Sequence, residues 1–355
     1  MRPSTLAVFL PNWVGDVVMA TPALRALRQF AGPDAILLGV MRPYVADVLA
    51  GTHWLDEQLF YDPRSSERHL GSFNLIRQLR SRRPDTAVLM TNSLRTGMLA
   101  YLSGARRRIG YVRYGRGPLL TDRLIPPQLN GQPIKHPMVD YYLGLSAAAG
   151  CPPESPRLEL ATTPDDERAA DLLWRQLGLR DGQRVVVFNS SGAFGAAKLW
   201  PTEHFAALAQ YIAGELDHDV LVLCGPKERE IARQIVAGAK HPRVFSLADH
   251  PLSIGLSKAC VRRCRLMVTT DSGPRHFGVA FGVPLVSLFG PTPAIWGANP
   301  TSRETALALS DLECFGCHRR VCPLGHHRCM RDLTVDRVAA AVAAELGQQR
   351  SRSAA

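Results

Sequence analysis

At 355 residues, with 46% hydrophobic and 21% charged residues, the chain has the composition of a globular protein and more length than one ordinary core organises, which predicts two domains. No apolar run approaches the roughly 18 residues that a membrane-spanning helix needs, and Asn12 and Asp16 interrupt the early apolar stretch that a signal peptide would require, so a cytoplasmic location is expected. The formal net charge of +11, most of it from arginine, reads either as a solubility device or as a surface for an acidic partner. The arginine clusters at residues 77–83 and 106–108 lack interleaved aromatics, and no helix-turn-helix, RNA-recognition or zinc-finger pattern is present, so nucleic acid is not an expected partner.

In chain order, residues 6–10 read as a strand that enters the loop Pro11-Asn12-Trp13-Val14-Gly15-Asp16. Val17, Ala20, Leu24 and Leu27 then recur at helical spacing. Residues 35–40 and 86–90 read as buried strands of the same sheet, and 92–102 as a helix. The proline-rich stretch 151–156 has the composition of a linker. After it the alternation restarts, with helices over 165–177, 202–214, 227–237 and 254–260 and strands over 185–188, 220–224 and 244–247. Residues 266–292, LMVTTDSGPRHFGVAFGVPLVSLFGPT, read as strand, tight polar turn, helix and strand. Such alternation predicts an α/β fold of two doubly wound parallel sheets, with domains over 1–155 and 165–347 and a frayed tail over 348–355.

Three strand ends in the second half carry polar residues where an open α/β sheet places its ligand. The first holds Ser190, Ser191 and Gly192, with Lys198 shortly after, and small residues there let backbone approach phosphate oxygens while the lysine supplies countercharge. The second ends in Gly225-Pro226-Lys227-Glu228, where Glu228 can accept hydrogen bonds from ribose hydroxyls. The third is Asp271-Ser272-Gly273, a turn whose N–H groups and following helix suit an anion. Each alone is commonly a structural turn, but three at successive strand ends favour a phosphate-bearing ligand. Neither a Walker A sequence nor GxGxxG is present. In the first half Asp16 has two readings, a plain helix N-cap or a general base for an acceptor hydroxyl.

The patterns LPNWVGDVVMATPAL, SSGAFGAAKLWP and DSGPRHFGVAFGVPLVSLFGPT together resemble glycosyltransferase family 9, the heptosyltransferases of the lipopolysaccharide inner core. Arg108-Ile109-Gly110-Tyr111, His136 and Tyr141-Tyr142-Leu143 are similar to the family's first domain, and the likeness runs from about residue 7 to 346. The resemblance implies a GT-B fold, two Rossmann-like domains facing a central cleft, the first binding acceptor and the second the nucleotide sugar. It implies an ADP-heptose donor and inverting transfer, with Asp16 as the base. Ser190, Ser191, Gly192 and Lys198 would contact the diphosphate, Lys198 with the turn amides stabilising the leaving group. Glu228 would hold the ribose, and Asp271, Ser272 and Gly273 the phosphates and sugar. His276 matches a histidine of the motif, as a ligand contact or as a capping or packing residue.

The implied acceptor, a Kdo-lipid core, carries carboxylates and phosphates, which makes Arg95, Arg107, Arg108 and Arg113 the acceptor-side candidates and implies peripheral contact with the inner-membrane surface. A solvated basic face is the competing reading for each of them. The resemblance requires no cofactor. Another family 9 chemistry, with a different sugar nucleotide or acceptor, or a non-catalytic nucleotide-sugar binding protein, are the alternatives. Finally, Cys314-x2-Cys317-x4-Cys322-x6-Cys329 lies in a basic loop with His318, His326 and His327. It reads either as a structural zinc site or redox-sensitive staple, or as unligated thiols. The segment CFGCHRRVCPLGHHRCM resembles the second heptosyltransferase subgroup.

Overall fold

A computed structural model describes residues 3–129, 132–190, 192 and 195–353. The chain divides into two compact units, Met1–Ala161 with Ile295–Pro300, and Thr162–Ala294 with Thr301–Ala355.

In the first unit the elements are β1 (Thr5–Phe9), α1 (Val14–Met19), α2 (Thr21–Ala31), β2 (Ile36–Met41), α3 (Ala46–Leu49), β3 (Glu57–Phe60), α4 (Ser72–Arg82), β4 (Thr86–Leu89), α5 (Leu94–Leu102), β5 (Arg107–Tyr111), β6 (Asp122–Leu124), the short antiparallel pair β7 (Gln128–Leu129) and β8 (Gln132–Pro133), and α6 (Met138–Ala149). The main sheet has the order β3-β2-β1-β4-β5-β6, and its pairings are parallel. β1 and β4 are buried along their whole length, as strands covered on both faces must be.

The single helix expected after β1 is two. Ala20, in αR geometry, closes α1 and opens α2, and Pro22 stands in the first turn of α2, where its missing N–H costs nothing. The proline-rich stretch expected as a linker is fastened to this unit. Arg25 on α2 pairs with Glu154 and Glu159 at 3.2 and 3.0 Å and donates to the carbonyls of Ser155 and Arg157.

The second unit contains α7 (Pro164–Leu177), β9 (Val185–Asn189), α8 (Thr202–Gly214), β10 (Asp219–Leu223), α9 (Arg229–Ala239), β11 (Val244–Ser246), α10 (Ile254–Arg263), β12 (Leu266–Thr270), α11 (Arg275–Phe281), β13 (Leu285–Phe289), β14 (Glu304–Ala308), α12 (Arg328–Arg331) and α13 (Val335–Ser353). The start of α7 is set by a capping box between Thr163 and Asp166. Gly282, at φ 69°, ends α11 in the left-handed conformation that glycine adopts without strain. The last helix continues past Gly347, where the sequence suggested an end. Among the described residues no helix is long and apolar enough to cross a membrane.

This sheet runs β11-β10-β9-β12-β13-β14, also parallel. Both units thus start centrally, build outward one way through three strands, then return to the centre and build the other way, which is the Rossmann order. The reversal falls between β1 and β4 in one unit and between β9 and β12 in the other. There the loops leave in opposite directions and open a crevice beyond the strand ends.

The core of the second unit encloses an ion pair. Arg275, at the start of α11, is fully buried and meets Glu304 of β14 through two 2.6 Å hydrogen bonds, with its guanidinium 5.0 Å above the Phe289 ring. Removing one partner strands a buried charge. Glu304→Ala should therefore lower the unfolding free energy by about 3–5 kcal/mol, while Arg275→Met combined with Glu304→Leu should cost less than that single change. Urea melts of the three proteins check it.

Candidate active site

At the reversal in the second unit, side chains from separate loops meet. The Lys198 ammonium, on the turn after β9, lies 2.5 Å from Asp271 Oδ2 and 3.1 Å from the Asp271 carbonyl oxygen, beyond β12. Lys198 is 9% exposed, so water screens its attraction to Asp271 less than it would a surface pair. Asn189, the last residue of β9, donates through Nδ2 to Ser272 Oγ at 2.7 Å and to Thr269 Oγ1 at 2.8 Å, fastening the two strand ends side by side. Ser190 is buried beside it. Glu228 joins the second strand end to the first, because its carboxylate accepts the N–H of Gly225 at 2.8 Å and of Gly192 at 3.4 Å. Ser191 lies outside the described residues. The structure thus brings Lys198, Asp271 and Ser272 together, and Gly192 with Glu228.

His276, in the first turn of α11, is 5% exposed, and its Nδ1 is buried without a hydrogen-bond partner. The proline before α11 is its N-cap, so a capping role does not hold for this ring. Burial, then the Arg275 and Lys198 charges, hold the imidazole well below its usual range. At neutral pH it is an uncharged group beside Lys198.

In the first unit Asp16 stands in the first turn of α1, and the N-cap is Trp13, which makes no side-chain cap bond. The plain N-cap reading of Asp16 therefore does not hold. Tyr142 of α6 donates its hydroxyl to Asp16 Oδ1 at 2.9 Å. Burial first, and the Asp16 charge second, push that phenol well above its usual value, so it remains a donor over the whole accessible pH range.

A cavity of about 450 Å³ opens at the reversal between β1 and β4. Arg42, Arg64 and Arg95 line it, with Asn12, Thr91 and Asn92, and Ser93 caps the α5 N-terminus there by accepting the Thr96 N–H at 3.1 Å. Arg42 Nε and Thr91 Oγ1 are buried with no partner. Its wall is braced by Arg116, which is fully buried and donates to the Tyr111 carbonyl and Asn92 Oδ1, each at 2.9 Å, and to the Thr91 carbonyl.

Of the four arginines that the sequence offered for this unit, Arg95 lies on the cavity. Arg107 is engaged with Asp122 at 2.7 Å and with the carbonyls of Ala148 and Ala149, and Arg108 with the carbonyls of Leu119 and Ala105 at 2.6 Å. These two brace β5 and the loops around it. Arg113 keeps a buried Nε without a partner and is not among the residues lining the cavity. Sequence reasoning missed Arg42, Arg64 and Arg116, because each stands alone in the sequence between unrelated residues.

The zinc reading finds no support in the placement of the candidate side chains. Among the described residues no group of three or more His, Cys, Asp or Glu side chains is placed to hold a metal ion. Cys314, Cys317, Cys322 and Cys329 line one cavity of about 20 Å³, but range from exposed Cys317 to buried Cys329. Burial and the neighbouring thiols push Cys329 up to about 11.

Two α/β units of Rossmann order, each with polar loops at its strand-order reversal, make up a fold of the GT-B type. The model of glycosyltransferase family 9 (heptosyltransferase) matches residues 72–327, and the chain belongs to that family. It is 25% identical over 336 residues to lipooligosaccharide heptosyltransferase 2 of Campylobacter jejuni, covering 93% of this chain and 95% of that protein. Among solved structures it resembles a family 9 glycosyl transferase of Veillonella parvula (TM-score 0.81, 23% identity, 97% of each chain). It also resembles the ADP-heptose lps heptosyltransferase II of E. coli (TM-score 0.77, 23% identity, 99% of this chain and 100% of that one). The protein is thus a glycosyltransferase.

The buried imidazole has a measurable consequence. Below the ordinary histidine value of 6.5 the unfolded chain binds a proton that native His276 refuses. Stability due to this group is therefore full above that pH and is lost as pH falls from 6.5 toward the lower native value, by up to about 1.4 kcal/mol per pH unit. Guanidinium melts between pH 7 and 5 should show a shallower decline for His276→Gln than for the unsubstituted protein.

Proposed function

We propose that the protein transfers L-glycero-D-manno-heptose from ADP-heptose to the lipopolysaccharide inner core, with inversion at the anomeric carbon. The observation that carries this reading is the buried Lys198–Asp271 pair at the strand-order reversal of the second unit, with Ser190, Gly192, Glu228, Ser272 and Gly273 on the loops around it. The heptosyltransferase relatives supply the sugar and acceptor class.

In this reading residues 165–347 bind the donor and residues 1–155 the acceptor. The diphosphate draws Lys198 away from Asp271, whose carboxylate then accepts hydrogen bonds from sugar hydroxyls, and Glu228 holds the ribose. Ser191 and His276 complete the donor contacts, the latter as a neutral hydrogen-bonding group. Asp16, its Oδ1 fixed by Tyr142, accepts the proton of the acceptor hydroxyl. The oxygen attacks the anomeric carbon from the face opposite the diphosphate. The bond from that carbon to the β-phosphate oxygen breaks, and its electron pair leaves with ADP, whose new charge Lys198 and the turn N–H groups stabilise. The reaction needs no redox change.

The acceptor's carboxylates and phosphates suit the cavity lined by Arg42, Arg64 and Arg95, whose walls carry donor groups without protein partners. The net charge of +11 suits work at the cytoplasmic face of the inner membrane, bound to its anionic surface without spanning it.

Incubation with ADP-, GDP- and UDP-sugars and a Kdo-lipid acceptor, with products identified by mass, should show heptose transfer from ADP-heptose. Transfer only from another donor sinks the assignment. Asp16→Ala should retain ADP-heptose affinity and lose about 10²–10⁴-fold in kcat, and unchanged turnover would remove Asp16 from the mechanism. Arg42→Ala and Arg95→Ala should raise the acceptor KM about tenfold or more with the donor KM unchanged, whereas Arg108→Ala should act on thermal stability and leave both KM values in place.

A further inference from the structure

The cysteine-rich loop belongs to none of the chemistry above, yet it is built against the turn that carries Lys198. Residues Ala196–Lys198 form a single 3₁₀ turn, too short to hold its own shape. Both backbone groups of Ala197, the residue before Lys198, are bonded to the cysteine-rich loop. The Ala197 N–H donates to the Arg320 carbonyl at 3.0 Å, and His327 Nε2 lies 2.8 Å from the Ala197 carbonyl oxygen. A carbonyl oxygen only accepts, so Nε2 is the donor in this contact.

The approach is close enough to demand glycine. Gly195 has φ 157°, and a methyl group there would stand 2.4 Å from the Arg320 carbonyl oxygen.

His327 is itself fixed from within the loop. Its N–H points to Cys322 Sγ at 3.4 Å, and its carbonyl accepts the N–H groups of Met330 and Arg331 that open α12. That helix packs Cys329 and Met330 against Gly290, and the His318 N–H donates to the Pro291 carbonyl at 2.8 Å. The loop therefore rests on the segments that follow β9 and β13 at once, and its thiols line a small cavity there with Ala197 and Pro291.

We infer that the cysteine-rich loop sets the position of Lys198, with His327 as the positioning residue acting through the Ala197 carbonyl. This rests on the reading of Lys198 as a contact to the donor diphosphate. A free turn would leave the lysine to sample many positions, and part of its binding energy would be lost in ordering it.

The test is ADP binding by calorimetry, with kcat and both KM values, on the full-length protein. His327→Ala should weaken ADP about tenfold and raise the donor KM, with the acceptor KM unchanged. His327→Gln, which returns an N–H donor at similar reach, should restore most of the affinity. In a Lys198→Met background His327→Ala should cost little more, because the two act as a unit. Gly195→Ala leaves His327 intact and forces the loop away. It should weaken ADP in the same way, and it decides the question should His327→Ala not fold.

Normal ADP binding by both His327→Ala and Gly195→Ala overturns the inference, as does an equal loss with and without Lys198. If Lys198→Met alone binds ADP normally, the donor-site reading falls and takes this one with it. If Lys198→Met loses ADP while the loop variants keep it, only this inference falls.

Discussion

The contact on which the second unit's site depends is the one between the Lys198 ammonium and the Asp271 carboxylate, made across the point where the strand order reverses. β9 and β12 lie side by side in register, yet the loops that leave them go opposite ways. A crevice at such a place exposes backbone N–H groups and gathers side chains that are far apart in the chain. Two opposite charges buried there pair with each other until a ligand with its own charge competes. Asn189 keeps the two strand ends from separating by donating to both Thr269 and Ser272. In the proposed reading the pair is poised for such a ligand, and the sheet beneath it is its frame.

Much of this frame was legible in the residues. Strands covered on both faces must be continuous apolar runs, and 185–188, 220–224 and 266–270 are such runs; their polar ends followed from the same logic. What could not be read was partnership. β3 was missed because EQLF is half-exposed and short, with no alternation clear enough to mark it. The break between α1 and α2 was missed because apolar spacing continues through Ala20. The thiol spacing suggested metal; the four thiols do line one small cavity, yet among the described residues no group of three or more ligand side chains is placed to hold an ion.

The arginines make the same point about charge. Arg107 and Arg108 stand together in sequence and suggested a basic patch, yet both are consumed by carbonyls and by Asp122. Arg42, Arg64 and Arg95 come from three separate places and converge on one cavity. Clustering in sequence places charges on one short element, where the local backbone is the nearest acceptor. Convergence at a strand-order reversal draws on loops from several strands, so its members look unrelated until the sheet is built. Arg116 shows the cost of shaping such a cavity: a guanidinium with no exposure, whose ionisation burial disfavours, kept in place by carbonyls and one side-chain amide.

The charge balance around Lys198 follows from these placements. Arg275 sits one residue from His276 but is neutralised by Glu304 in a two-bond pair. His276 is denied a proton by burial and by the positive groups near it. A charged imidazole there would repel Lys198 and add a second cation whose state varied with pH. Because it stays neutral, it adds no cation beside Lys198, which is held against Asp271 and whose position depends on the turn that carries it. That turn has one residue before the lysine with both backbone groups bonded to the cysteine-rich loop. Electrostatics selects which group meets an anion; the loop packed behind it decides where that group stands.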